Sequence, residues 1–430
     1  MLLKNALCVA LSPPALERDD VRITGGTVEE VGRGLAAKPG EETEDLAGKI
    51  VMPGLVCAHT HLISTLSRGM PPPAATPANF PEILERIWWR LDRALDRETL
   101  YCSAVAGALE AARCGVTTIV DHHSSPNAIS GSLDAVRRGI AEIGLRGILC
   151  YEISDRGGPD RRDEGLAENE AFAADHRTDP MFRGCIGGHA SFTLSDESLR
   201  SMGDLAERHG TGVHIHLAEA VDDPRITEEK FGRSILERFE EFGILRRNSL
   251  LAHCVHCAPD EFSRLRECGA WLIHNPRSNM NNGVGRAPLA EFGSRRALGT
   301  DGFPPDLFEE MRSAHLRGNE AGDDAEALRM AANGQAIASE MFGREFRTLT
   351  RGAAADLIVM DYIPPTPLTG GNLASHILFG LRSSMVESVM VNGNWVVRNR
   401  RFPGLDESAL LRGAEEAATK LWSAMHALES

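Results

Sequence analysis

The stretch that most constrains this chain is residues 51–61, VMPGLVCAHTH. Val51 to Ala58 form a short apolar run with Pro53 and Gly54 near its start, the composition of a strand buried on both faces in a parallel sheet. The run stops at His59 and His61. Side chains alternate faces along an extended chain, so two histidines two apart project together and can share one cation. An isolated H-x-H pair also arises by chance on surfaces. Three further stretches repeat the design: 213–219 (VHIHLAE), 250–253 (LLAH) and 297–302 (ALGTDG), each a short apolar run ending in His or Asp.

Between these anchors, short apolar runs alternate with longer amphipathic ones, the pattern of a parallel sheet with crossover helices. Strands are expected at 51–58, 116–120, 146–151, 184–188, 212–216, 249–252, 270–273 and 296–298. Eight β/α units in roughly 300 residues fit a (β/α)8 TIM barrel, whose functional residues sit at the C-terminal strand ends. The His and Asp positions fall at those ends without adjustment. A doubly wound sheet would not predict that so directly.

The two chain ends read differently. Residues 2–10, 20–23 and 28–31 are strand-like, with Gly25-Gly26 as a hairpin turn. Such a piece is too small to bury a core alone. Residues 355–360, 386–391 and 395–397, with Asn392-Gly393 as a second turn, offer a partner. The expected organisation is a composite β-sandwich of residues 1–52 and 350–403, a barrel over 53–349 and a C-terminal helix over 404–430.

A formal net charge of −15 argues against nucleic acid or an anionic membrane as partner, and no apolar run approaches the ~20 residues that span a bilayer. Nine scattered cysteines without a signal-like N-terminus point to reduced thiols in a cytoplasm. Cys254-Val255-His256-Cys257 has zinc-finger-like spacing, but no second pair follows within range. Residues 184–188 are glycine-rich yet match neither G-x-G-x-x-G nor a P-loop. A small-molecule substrate and a homo-oligomeric state, dimer or larger, are the expectation.

Taken in order, P-G-L-V-x-A-H-T-H, H-I-H-L-A-E, A-H-C-V-H, H-N-P-R-S-N and L-G-T-D-G make the chain resemble the amidohydrolase superfamily. The likeness is to the branch of cytosine-, guanine- and S-adenosylhomocysteine-deaminase-like enzymes and triazine chlorohydrolases. Within it, Ser67-Arg68-Gly69, WWRLDRALD at 88–96, VDHHSSP at 120–126 and RSNMNN at 277–282 look most like the SsnA-type aminohydrolases. The resemblance runs from the first strand nearly to the C-terminus.

It implies a barrel beside a small β domain, and one divalent metal, zinc or alternatively iron, on His59, His61, His216 and Asp301. Imidazoles and a carboxylate with one open position for water suit such a catalytic site. His216 is preferred to His214 because it stands nearer the strand end and three residues before Glu219, the H-x-x-E spacing of this branch. Carbamate-bridged binuclear members need a lysine on the fourth strand. Here no lysine occurs between Lys49 and Lys230, so one metal is expected.

By the same resemblance Glu219 shuttles a proton from the attacking water to a ring nitrogen, His253 orients the hydroxide and polarises the substrate, and Asp301 both ligates and accepts a proton. The implied activity is aminohydrolase (deaminase) attack on a ring carbon of a nitrogen heterocycle, releasing ammonia. Hydrolysis of a cyclic amide or a carbon–chlorine bond is the rival in the same fold, and a catalytically inactive metal-binding protein the rival of another class.

Arg68, His123 and His189 are the expected substrate contacts, with His122 as a core histidine whose neighbour points into the pocket. For Arg68 a second reading stands: an ion pair with Glu82 or Glu85 that pins the loop. Residues 62–81, with five prolines, read equally as a rigid lid or an ordinary barrel loop. Trp88 and Trp89 read as packing or interface residues.

Overall fold

The computed structural model describes residues 1–323 and 326–428. Eight parallel strands form a (β/α)8 barrel: Leu55–Thr60, Val116–His123, Arg146–Tyr151, the interrupted pair Phe182–Gly184 and Ile186–Ala190, then Val213–Leu217, Leu250–His253, Trp271–His274 and Arg296–Leu298. They are hydrogen-bonded in chain order as two sheets. Two parallel bridges join the sheets at both edges: Ile153 with Gly188, and Thr60 with Asp301. At the second seam Thr300 and Asp301 donate their N–H groups to the His59 carbonyl at 2.8 and 3.1 Å, and His61 donates to the Asp301 carbonyl at 3.2 Å. The first and last strands are thereby locked together where three of the expected metal ligands lie.

Gly299 permits that closure. A Cβ there would stand 2.4 Å from Asn275 Oδ1 and 2.7 Å from His59 Cβ, so only glycine lets the eighth strand run this close to the first.

The run 51–58 is not one strand, as expected, but parts of two. Ile50–Pro53 pairs antiparallel with Leu357–Met360 in the small sheet, and Leu55–Thr60 begins the barrel. The chain crosses between them at Pro53-Gly54, where Pro53 has no N–H to extend a ladder and a Cβ on Gly54 would lie 2.2 Å from the Thr117 side chain.

Both chain ends contribute to one eight-stranded sheet, which contains Leu2–Leu11, Pro14–Thr24, Thr27–Gly32, Thr43–Asp45 and Ile50–Pro53 with Leu357–Met360, Val386–Val391 and Asn394–Val397. The sheet curls back so that Thr27 bridges Ala354, and it encloses Leu3, Val21, Val28, Leu357 and Met390. Gly25 and Gly26 take φ of +57° and +77°, and Asn392 and Gly393 +50° and +77°, the left-handed pairs that close two-residue hairpins. Arg146 at the start of the third barrel strand ties the two units together. Its fully buried guanidinium donates to Asp356 at 2.6 and 3.0 Å.

The C-terminal helix Glu407–Ala427 is capped by Asp406. Residues 429 and 430, included in the expected helix, lie outside the described residues. Its buried Ala414, Ala417, Leu421 and Met425 pack on Leu66, Leu91, Leu95 and Leu100. Trp422 donates its indole N–H to the Leu66 carbonyl at 2.8 Å. This helix thus braces the segment that follows the first strand. That segment is a 3-10 turn at Leu62–Ser67, then residues 68–79, then a helical stretch over 80–94 containing one widened π turn at Leu84–Trp88. No helix among the described residues is long and apolar enough to cross a membrane.

Candidate active site

Four donors converge at the C-terminal mouth of the barrel. One ligand atom each from His59, His61, His216 and Asp301 lie within 4.8 Å of one another. Hydrogen bonds fix which nitrogen faces inward. His61 donates its Nδ1–H to the His122 carbonyl at 2.6 Å, and His216 donates its Nδ1–H to the His189 carbonyl at 2.8 Å. With both rings neutral the two Nε2 atoms carry lone pairs, and they stand only 3.3 Å apart. Two facing lone pairs repel unless a cation or proton lies between them. His59 Nε2 is buried without a hydrogen-bond partner and is 3.5 Å from Asp301 Oδ1, which in turn is 3.1 Å from His61 Nε2. An orphaned imidazole nitrogen, two opposed lone pairs and a carboxylate oxygen around one point are the donor set a divalent ion requires.

Electrostatics agree with the geometry at His59 and Asp301; at His61 burial is outweighed by the adjacent Asp301, which raises the imidazole to about 9 and puts a proton where a cation would compete for the lone pair. Burial holds His59 neutral, with its pKa pushed down to about 3, so it offers a lone pair. Burial opposes ionisation of Asp301, but the adjacent His59 and His61 outweigh it and hold the carboxyl well below the usual range. Ser278 Oγ donates to the other Asp301 oxygen.

Beside this centre stand Glu219 and His253. Glu219 follows the fifth strand, where Ala218 has φ of +47°; His253 ends the sixth with φ of +75°, followed by Cys254 at +52°. Asp301 is likewise left-handed at +54°. Each such non-glycine conformation costs about 1–3 kcal/mol, and their clustering at three strand ends marks a site that the fold holds under strain. Glu219 Oε2 lies 3.6 Å from His253 Nε2, while His253 Nδ1 meets Asn279 Oδ1 at 2.8 Å. Burial, and then the negative charges of Asp301 and Asp223, push the Glu219 carboxyl well above its ordinary pKa. A carboxyl held near protonation can both take and give a proton at neutral pH.

A cavity of about 300 Å³ opens over these groups, lined among others by His61, His189, His216, Glu219 and Asp301. Aromatic rings of Phe80, Trp88, Trp89 and Phe303 form much of its wall. Trp88 and Trp89, expected as packing or interface residues, therefore face the cavity, with Trp89 also 6.0 Å from the His189 ring. Of the segment 62–81, Ile63, Ser64, Ser67, Arg68 and Phe80 line the cavity, and Leu84 adds to the same side.

The expected substrate contacts fare unequally. His189 lines the cavity, its Nδ1 bonded to Thr193 Oγ1 at 2.8 Å. His123 does not: it is fully buried, Nε2 on Ser125 Oγ at 2.9 Å, its ring against Tyr151. The second strand runs three residues further than expected, so alternation turns His122 inward and His123 away, and Ser124 reaches the cavity instead. Arg68 stands at the cavity rim, 59% exposed, its guanidinium paired with Glu110 at 2.8 and 3.3 Å rather than with Glu82 or Glu85.

Two carboxylates went unnoticed in the sequence. Glu152 follows the third strand and Asp92 lies in the helical stretch over 80–94; both are buried and line the cavity. Burial opposes ionisation of Glu152, yet His189, His122 and Arg156 around it hold its carboxyl low. Burial and the nearby Glu152 push Asp92 up to about 7. A charged residue directly after the apolar run RGILCY was the available signal for Glu152.

Residues 50–396 match the model of the Amidohydrolase family. The chain is 30% identical to a 5'-deoxyadenosine deaminase of Methanosarcina mazei, over 98% of each chain. It is 31% identical to a 5-methylthioadenosine/S-adenosylhomocysteine deaminase of Pelotomaculum thermopropionicum, again over 98% of each. Its fold superposes on that of an adenosine deaminase from Xanthomonas campestris with bound zinc, with a TM-score of 0.86 and 22% identity over 98% of both. With the family model covering the whole barrel and part of the small sheet, and relatives aligned almost end to end, this chain belongs to the amidohydrolase family.

Proposed function

We propose that this protein is a metal-dependent aminohydrolase that replaces an amino group on a ring carbon of a nitrogen heterocycle with oxygen from water, releasing ammonia. The observation that carries the reading is the Glu219 carboxyl, driven toward protonation and set between His253 and the four-donor cluster. Displacing a good leaving group such as chloride has less need of such a shuttle.

His59, His61, His216 and Asp301 would hold the ion, and the lysine-free fourth strand favours one rather than a carbamate-bridged pair. We take the ion to be zinc, as in the adenosine deaminase of similar fold. Bound there, a divalent ion supplies Lewis acidity that makes water nucleophilic near neutral pH.

The remaining work falls to side chains. Asp301 Oδ1 is placed to accept the first proton from the attacking water, and its partner oxygen is held by Ser278. Glu219 delivers a proton to the ring nitrogen adjacent to the reacting carbon, making that carbon electrophilic, and recovers one from the added hydroxyl, while the proton held by Asp301 passes to the amino group, which leaves as ammonia. His253 donates its Nδ1–H to Asn279, so its Nε2 lone pair faces Glu219 and the donor cluster, where it can accept a hydrogen bond from the nucleophile and orient it. The aromatic walls stack a planar ring and keep bulk water out.

The deaminase relatives make purine nucleosides with a modified 5' position the first substrates to test. All nine cysteines are free, which suits a reducing cytoplasm, and exposed Phe379 and Ile363 suit assembly into a homo-oligomer. The test is ammonia release from a panel of purine nucleosides, free purines, pyrimidines, pterins and triazines. Turnover on an amino-substituted member is expected, and activity confined to chloro-substituted rings would overturn the reading.

A further inference from the structure

His61 and His216 are each oriented by a backbone carbonyl, but His59 is not. Its Nδ1 instead meets Nε2 of His214 at 2.8 Å. His214 lies two residues before His216 on the fifth strand and so shares its inward face. The other nitrogen of His214, Nδ1, meets Cys150 Sγ at 3.7 Å, and the Cys150 thiol reaches the Asp121 carbonyl at 3.7 Å. His59, His214, Cys150 and Asp121 are all fully buried.

We propose that His214 and Cys150 are positioning residues that form a one-way hydrogen-bond relay fixing which nitrogen of His59 faces the metal centre. The proposal rests on the reading of His59 as a metal ligand. The direction follows from the far end. A carbonyl only accepts, so the Cys150 thiol donates to Asp121, and its sulfur accepts from His214 Nδ1–H. His214 Nε2 then bears the lone pair and accepts from His59 Nδ1–H. That leaves His59 Nε2 with its lone pair, and this is the atom found buried, unpartnered and 3.5 Å from Asp301. Cys185, opposite Cys150 on the fourth strand, also meets the Cys150 thiol, but it turns its own S–H to the Leu149 carbonyl at 3.9 Å, so it can only accept from Cys150 and leaves the direction of the relay unchanged.

The terminus matters chemically. A metal-bound histidine backed by a carboxylate becomes a more basic ligand. A relay ending in a thiol and a carbonyl orients the ring without donating that charge, so His59 binds the ion less tightly and leaves it a stronger Lewis acid.

The test is the zinc affinity of metal-free full-length protein, by chelator competition at neutral pH, with the visible spectrum of the cobalt-loaded protein as a second readout. His214→Leu should weaken zinc binding about ten- to a hundred-fold and alter the cobalt spectrum. His214→Gln, whose amide oxygen can occupy the Nε2 position, should recover most of that loss. Cys150→Ala should weaken binding in the same direction and Cys150→Ser should restore it, which keeps the relay testable should His214→Leu fail to fold. Wild-type affinity in His214→Leu or in Cys150→Ala would overturn the relay. So would His214→Gln binding as poorly as His214→Leu. His59→Ala separates the two claims. If it loses zinc while His214→Leu does not, the relay alone is wrong. If it keeps zinc at wild-type affinity, the ligand set is wrong and the relay falls with it. Two zinc ions per chain, one lost in Cys150→Ala, would show the Cys150, Cys185 and His214 trio to be a metal site and would also overturn the relay.

Discussion

Glu219 Oε2 and His253 Nε2 face each other at 3.6 Å from the ends of neighbouring barrel strands. Each depends on a left-handed turn, at Ala218 before the first and at His253 itself. An imidazole held by Asn279 and a carboxyl pushed toward protonation by burial and by Asp301 form a pair that can pass a proton and steady the group receiving it.

Glu219→Gln should keep the fold and the metal but lower kcat by roughly a hundred- to ten-thousand-fold, the usual contribution of a positioned proton-transfer group. Stopped-time ammonia assays on metal-replete variant and wild type, with melting temperatures as control, measure this. A kcat within about threefold of wild type would remove Glu219 from the proton path.

The convergence of His59, His61, His216 and Asp301 with Glu219 was legible because each closes a short apolar run, and alternation plus strand count then brings them to one mouth. Three other features were not. The break at Gly54 is invisible in the apolar run 51–58, because what splits it is contact with Thr117 and pairing with 357–360, both distant in sequence. The facing of His123 turned on three extra residues of strand, within the ordinary uncertainty of a strand boundary. Arg68 found Glu110, 42 residues away on the helix Arg97–Arg113, where no local spacing rule reaches. Trp88, Trp89 and Asp92 share a helical stretch whose register passes through a π turn, which turns the side chains that follow it relative to a regular α-helix.

Arg68 is half-committed before any substrate arrives. Its exposed pair with Glu110 is worth about 0–1 kcal/mol. Arg68→Lys keeps a charge for Glu110 and should leave both the melting temperature and KM nearly unchanged, KM within about twofold. A KM raised about tenfold or more at constant melting temperature would instead make Arg68 a substrate contact.

The small sheet and the barrel should behave as one cooperative unit. Asp356→Ala strands the fully buried Arg146 guanidinium and should cost about 3–5 kcal/mol in denaturant unfolding. Deleting residues 1–45 removes the strands over Leu2–Leu11, Pro14–Thr24 and Thr27–Gly32 and bares Leu357, Val359 and Met390, so the truncated chain should be insoluble. A soluble truncation with a single sharp transition would show the two ends to be independent.

Asp92 gives a pH signature. Its carboxyl is raised by burial, and then by Glu152, to about 7 in the folded protein, against about 4 in an unfolded chain. A folded pKa raised above the unfolded one means stability that is fully present below pH ~4 and lost as pH rises through 7. Asp92→Asn cannot ionise. Its melting temperature relative to wild type should therefore climb between pH 4.5 and 8, and a difference that stays flat over that range would contradict the assignment.

The central claim is hydrolytic loss of an amino group, dependent on the metal and on Glu219. It is tested most directly by turnover of 5'-deoxyadenosine, or of the best substrate from the panel, in ¹⁸O-labelled water, with product analysed by mass spectrometry and ammonia counted alongside. The account predicts one labelled oxygen on the carbon that carried the amino group and one ammonia per product. Both should vanish on chelation, return with zinc, and be nearly absent in Glu219→Gln. Product formed without ammonia, or at an undiminished rate after complete removal of the metal, would contradict it.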